Sequence, residues 1–303
     1  MWIVATAVIK VLLIALLGWY LTRKRYLGDE AFDFLNRFLV DYASTFLIFA
    51  AIIDNYRMVM MNNVLVFILF SVVVYIFGYL CGPFFCSKGC SGVKRELQGL
   101  VAFQNCGYLP LNIALFLLSG GARETFMVYI FIYLIGFNIL MWSVGSHLIF
   151  KTKSEKFDFR TFFLPPVIGA VVALIMVYTG AAPYIPRIII DPMRAIGDTT
   201  FAVSALTLGG WLGQVDLRGV GVRLREIAIA SLFRLVIVPA IFFVIIIYMR
   251  WYSLIGLFVL LMAAMPSAVS LPVVVKMRGA NTVFAAQGVF VTHLLSIITI
   301  PVW

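Results

Sequence analysis

The chain has 303 residues, of which 63% are apolar and 12% charged, with a mean hydropathy of +1.07. A soluble globule carries about twice that charged fraction, so the composition excludes a water-soluble fold and indicates a polytopic membrane protein. The net charge of +10 does not point to nucleic acid, because the Lys and Arg residues sit in short loops between apolar runs, where membrane insertion favours them.

Ten apolar runs occupy residues 1–21, 34–53, 64–85, 97–118, 126–150, 162–179, 196–212, 227–249, 254–275 and 283–303. About 20 apolar residues at roughly 1.5 Å rise cover a hydrocarbon core of about 30 Å, so the expected fold is all-α with ten transmembrane helices. The first run is not read as a cleaved signal. It has no basic start, exceeds the length of a leader's apolar stretch, and is followed by Arg23-Lys24-Arg25, which would anchor it. Loops after odd-numbered runs hold fifteen Lys and Arg and the others five. That bias places the odd loops in the cytoplasm and both termini outside, in a multi-pass protein of the plasma membrane.

Lys10 lies deep in the first run, where a snorkelling or paired lysine and a ligand contact are both open readings. In and just before the second run, Asp33, Arg37 and Asp41 recur at i, i+4 and i+8. They read as a structural ion-pair ladder at the cytoplasmic entrance, with Asp41, the deepest, as a candidate coupling carboxylate. Cys81, Cys86 and Cys90 cluster near the end of the third run without a CxxC pair or a nearby histidine. They read as reduced cytosolic thiols, and no metal or cofactor is expected.

The fourth run is interrupted by Gln104-Asn105-Cys106-Gly107-Tyr108-Leu109-Pro110-Leu111. Pro110 has no N–H and disfavours helix in the residue before it, Gly107 relaxes the backbone, and two amide side chains enter hydrocarbon. Backbone freed in this way survives only against neighbouring protein or a wet cavity, so the stretch reads as a broken helix lining a site.

Residues 151–161 form a short charged cytoplasmic linker between residues 1–150 and residues 162–303, with five runs on each side. Five is odd, so if the halves are repeats they insert with opposite topology. Leu109-Pro110 in the fourth run has a counterpart in Leu271-Pro272 of the ninth, and Ser44-Thr45-Phe46 in the second matches Thr199-Thr200-Phe201 in the seventh. Such pairs are common in membrane helices, but here position and spacing agree together. In an inverted repeat the two breaks meet near the midplane, each followed by a new half-helix. Helix N-termini carry unpaired N–H groups and roughly half a positive charge, which favours an anion, most simply a carboxylate. The substrate-binding candidates are Gln104, Asn105, Gly107 and Pro110 from the first break and Pro266, Ser267, Ser270 and Pro272 from the second. The hydroxyls of Ser44, Thr45, Thr199 and Thr200 join them.

Other ionisable groups have structural readings. Asp198, ahead of Thr199, reads as a helix cap. Arg234 in the eighth run is expected to bind the freed carbonyls of a broken neighbour or to pair with Asp41, and with Asp41 and Lys10 it completes the coupling or ion-pair candidates. His147 and His293 read as buried packing residues. No paired aspartates, Ser/His pair, HExxH or GxxxxGK stretch is present, so neither an enzyme nor an ATP-driven pump is expected.

The sequence resembles the auxin efflux carrier or PIN-like membrane transporters. The likeness rests on Asn105-Cys106-Gly107-Tyr108-Leu109-Pro110-Leu111, on Met265-Pro266-Ser267-Ala268-Val269, on Lys276 and the turn at Gly279, and on the closing Leu294-Leu295-Ser296-Ile297-Ile298-Thr299-Ile300-Pro301. The resemblance implies that the fourth and ninth spans cross with substrate beside them. It also implies a homodimeric scaffold of spans one, two, six and seven, with the remainder moving like an elevator. Many relatives place an asparagine in the second break where this chain offers only Ser267 and Ser270, so substrate identity does not carry over. The expected function is a secondary carrier for a small organic anion, working by alternating access in a lipid bilayer. The alternatives are a channel-like uniporter of the same fold and a ligand-sensing membrane protein on a transporter scaffold.

Overall fold

The computed structural model describes residues 2–56, 64–81, 92–142, 144–150, 165–214 and 223–303. The expected linker at 151–161, together with Cys86 and Cys90, lies outside the described residues. Among the described residues the protein is all-α, with one isolated bridge and no strand.

In chain order the helices are α1 (Trp2–Arg23), α2 (Asp29–Arg37), α3 (Thr45–Asp54), α4 (Val64–Leu80), α5 (Lys94–Ala102), α6 (Tyr108–Leu117), α7 (Gly120–Trp142) and α8 (Val144–Phe150). They continue with α9 (Pro165–Tyr178), α10 (Arg187–Gln214), α11 (Leu224–Leu232), α12 (Val238–Met249), α13 (Leu254–Ala264), α14 (Leu271–Met277) and α15 (Thr282–Val302). Two wider, π-helical turns join helices end to end: Phe38–Ser44 links α2 to α3, and Phe233–Ile237 links α11 to α12.

Among the described residues four stretches, Glu30–Asp54, Gly120–Phe150, Leu224–Met249 and Thr282–Val302, are long and apolar enough to cross a membrane. Leu13, Leu16, Leu65, Leu69, Val244 and Ile298 are each more than half exposed on the outer faces of their helices. An outer surface this apolar suits hydrocarbon rather than water.

Helix α10 begins directly after Pro186, nine residues ahead of the apolar run assigned to it. Its first turns are held by charge rather than by apolar periodicity: Arg187 pairs with Asp54 at 2.5 Å, and Arg194 pairs with the same carboxylate. Asp198 therefore lies inside a continuous helix and caps nothing, contrary to the sequence expectation.

The helices pack in two groups. In the first, α1 lies along α10, α9 along α3, and α10 against α3 and its π turn. In the second, α4 packs on α7, α12 on α13 and α14 on α15, while α5 touches α4, α11 and α15. Rings bind the second group's core, with Phe258 of α13 meeting Phe67 at 5.4 Å, Phe126 at 5.6 Å, and Tyr129 and Tyr133 at 5.8 Å. The groups meet where α6 touches α1 and α10 and where α7 touches α3 and α9.

The α1–α10 contact depends on two glycines. A Cβ on Gly18 would enter the backbone of Leu206, and one on Gly209 the backbone of Ala15, so small residues let these backbones approach closely. A Gly209→Ala change is expected to destabilise the protein by about 1–3 kcal/mol, read as a lower melting temperature in detergent. Gly121→Ala, where an added Cβ meets nothing within 4 Å, should leave it unchanged or slightly raised.

Candidate functional site

The two predicted interruptions are present, and they lie against each other. Helix α5 ends at Ala102 and α6 starts at Tyr108, while α13 ends at Ala264 and α14 starts at Leu271. The extended segments between them run antiparallel with Gln104 opposite Ser267. The Asn105 N–H donates to the Pro266 carbonyl at 2.7 Å, and the Ala268 N–H donates to the Phe103 carbonyl at 2.8 Å. Each break thus supplies the partners that the other has lost to its helix. From the bridged pair the chain restarts as helix four residues on in both cases, at Tyr108 and at Leu271.

The ends of the two preceding half-helices converge on one guanidinium. Arg234, in the π turn between α11 and α12, is fully buried. Its Nε donates to Met265 O at 2.7 Å, its Nη2 to Ala263 O at 2.8 Å and Met262 O at 3.1 Å, and its Nη1 to Val101 O at 3.3 Å. These are carbonyls that a terminating helix leaves without partners, at the end where the helix dipole is negative. Of the two roles open to Arg234 from sequence, carbonyl capping is the observed one, and Asp41 is not its partner. The Ser267 hydroxyl adds a further tie, donating to Leu100 O at 2.7 Å.

Beside the bridge lies a cavity of about 460 Å³. Seven of the substrate-binding and coupling candidates line it: Gln104, Asn105 and Gly107 from the first break, Ser270 from the second, Asp41 and Ser44 from the π turn before α3, and Thr200 from α10. Val40, Leu47, Ile48, Leu111, Phe131 and Phe137 give it apolar walls, and Asn36, Asn138 and Trp211 add polar atoms. Thr200 is 1% exposed, and its hydroxyl has no hydrogen-bond partner among the described residues.

The remaining candidates lie off the cavity wall. Pro110, Pro266 and Pro272 sit in or just after the breaks, and Ser267 is occupied within the bridge. Thr45 donates to Val40 O at 3.2 Å and Thr199 to Ile196 O at 2.6 Å, so both hydroxyls are turned onto their own helices. Lys10 stands 4.8 Å from the centre of the Phe116 ring of α6, a cation–π contact between the two helix groups.

Two sequence readings are corrected here. Among the described residues none of Asp33, Arg37 and Asp41 makes an ion pair, so the expected ladder is absent. The spacing does align all three along one face, but that face is the cavity wall, where Asp33 and Arg37 are exposed to solvent rather than forced together. His293 is also more than a packing residue, since its Nε2 lies 3.1 Å from Asn105 Nδ2. The two are 188 positions apart, and no local pattern signals such a contact. Gln104 is likewise fixed from behind, its Nε2 donating to the Tyr133 hydroxyl. Among the described residues no group of His, Cys, Asp or Glu side chains could hold a metal ion.

A family profile described as "Membrane transport protein" matches residues 3–303. A protein of Methanocaldococcus jannaschii, described as an uncharacterized transporter, is 26% identical over 312 residues, which is 98% of this chain and 96% of that one.

Replacing Arg234 by Leu leaves carbonyls of both broken helices unsatisfied and should cost about 3 kcal/mol or more, read as a large fall in melting temperature. Arg234→Lys should recover only part of this, because a single ammonium cannot span the same four carbonyls.

Proposed function

Because the chain belongs to the membrane transport protein family, that of the auxin efflux and PIN-like carriers, we propose that it is a secondary carrier moving a small organic anion by alternating access. The observation that carries this reading is the mutually bonded pair of helix breaks, with the cavity beside it and the N-termini of α6 and α14 following directly. With Arg234 taking up the negative helix ends, the new N-termini leave a local excess of positive potential, and a carboxylate is the simplest group to complement it. Gln104, Asn105, Gly107, Ser270, Ser44 and Thr200 are the groups assigned to it here, with the apolar walls receiving the rest of the molecule.

The finer architecture belongs to the same proposal. The ten apolar runs form two inverted repeats of five, residues 1–150 and 162–303, and the equal four-residue spacing from Gln104 to Tyr108 and from Ser267 to Leu271 supports that symmetry. The packing of α1, α2, α3, α9 and α10 as one group supports a scaffold, which the family resemblance implies to be homodimeric, with the other group carrying the crossover past it. Asp33, Trp211 and Pro166 reach the cavity from the end marked by the basic loops. Under the positive-inside assignment it faces the cytoplasm, with both termini outside the plasma membrane. Asp41, a half-buried carboxylate on the cavity wall without an ion-pair partner among the described residues, is the group proposed to couple transport to protons.

Purified protein should be stabilised against heat by one or more members of a panel holding malate, malonate, indole-3-acetate and amino acids, and should show counterflow of the labelled hit in proteoliposomes. Tight binding without accumulation would instead support a sensor, and uptake without counterflow a channel. The Asn105→Ala change should lower uptake about tenfold at subsaturating substrate, the loss of one buried hydrogen bond or so. Unchanged uptake would remove Asn105 from the site. The Asp41→Asn change should abolish stimulation by a proton gradient, and persistence of that stimulation would discard Asp41 as the coupling group.

A further inference from the structure

We infer that the last helix, α15, sets the hydrogen-bonding polarity of both breaks, and that His293 is the positioning residue that orients the Asn105 amide in the cavity wall. The inference deepens the transport reading of that cavity and rests on it.

Both breaks are ordered from a single acceptor, the carbonyl of Val289. His293 Nδ1 lies 2.9 Å from it, and a carbonyl oxygen offers only lone pairs, so Nδ1 carries the proton. In a neutral imidazole the other nitrogen, Nε2, is then an acceptor. Its neighbour at 3.1 Å is Asn105 Nδ2, which must donate to it. That fixes the amide: Oδ1 turns to the Leu109 N–H at 3.4 Å, where it supports the first turn of α6. The opposite tautomer would press Nε2–H against the amide nitrogen. Turning the amide over to relieve that would press the amide nitrogen against the Leu109 N–H. Only one arrangement leaves no donor facing a donor and no acceptor facing an acceptor.

The same carbonyl orders the second break. The Thr292 hydroxyl donates to Val289 O at 2.9 Å, which leaves its lone pairs to accept the Ser267 N–H at 3.3 Å. Asn105, Ser267, Thr292 and His293 are each at most 4% exposed, so water does not compete for these bonds. Two adjacent side chains on one helix turn thus hold the two breaks in register. Among the described residues the Asn105 amide keeps its second Nδ2 hydrogen uncommitted, a donor on the wall of a cavity read as an anion site.

The chain holds two histidines, so 15N-histidine labelling of the full protein in lipid nanodiscs gives two imidazole signals, and His147→Gln assigns them. The expected spectrum near pH 7 has His293 neutral with the proton on Nδ1 and a bare, hydrogen-bonded Nε2. A proton on Nε2, alone or with Nδ1, would overturn the assignment. Transport of labelled malate or malonate supplies the second readout. His293→Gln keeps an acceptor near the position of Nε2, whereas His293→Asn reaches only as far as Nδ1. The Asn variant should raise KM about tenfold with little change in maximal rate, and the Gln variant should stay within about twofold of wild type. Equal KM values in the two variants would refute positioning through Nε2. A wild-type protein that moves no carboxylate defeats the transport reading alone, and the imidazole spectrum still decides the role of His293.

Discussion

Backbone polar groups cannot be left unpaired in an apolar interior, and the centre of this molecule follows from that constraint. Two helices are interrupted by sequence that cannot continue them, and each interruption frees backbone donors and acceptors that need new partners. The solution is reciprocal. The extended segments pair across the Gln104–Ser267 bridge, and Arg234 collects carbonyls from both helices that end there. A neutral residue at position 234 could not donate to four carbonyls at once, and a carboxylate partner would compete for the guanidinium. Among the described residues the buried charge thus meets aligned dipoles and no counter-ion, which suits a site where a second full charge would be costly to bury.

Much of this arrangement was legible in the sequence because it breaks local rules. Proline, glycine and amides inside an apolar run have few structural explanations, so Gln104 to Leu111 identified one break directly, and Leu271-Pro272 pointed to its counterpart. Arg234 was legible for the same reason, since a lone arginine among apolar residues needs acceptors and broken helices supply them. What could not be read were contacts fixed by distant packing. The Asn105–His293 bond joins the fourth and tenth apolar runs, and an isolated histidine on an apolar face carries no mark of its partner. The i, i+4 spacing of Asp33, Arg37 and Asp41 misled because it reports a shared face and not what that face meets. Asp198 was misplaced because α10 begins in a charged segment, held by Asp54, that apolar patterning does not detect.

The site residues divide by how they are held. Gln104 and Asn105 are anchored from behind, one by Tyr133 within the ring cluster around Phe258 and the other by His293. Their backbones are fixed by the bridge. Thr200 and Asp41 come from the other helix group, and neither hydroxyl nor carboxylate is committed to a partner among the described residues. One wall of the cavity is therefore preorganised and the facing wall holds polar atoms in reserve. That is a suitable division for a cavity whose two walls belong to separately packed groups of helices.

The π turn at Phe38–Ser44 has a consequence for how such a wall can arise. A π turn amounts to one residue more than the α-helical winding needs, and each added residue rotates whatever follows by about 100°. Asp33 and Arg37 before this turn, and Ser44, Leu47 and Ile48 at its end and beyond, all border the same cavity. Removing a single residue between them would swing the charged rim and the neutral depth of the wall onto different faces of the rod. Asp33, Arg37, Val40, Ser44 and Leu47 recur at the three- and four-residue spacing of one helix face, so chain length between them, more than any single substitution, keeps solvent-facing charge and interior hydroxyl in a common line.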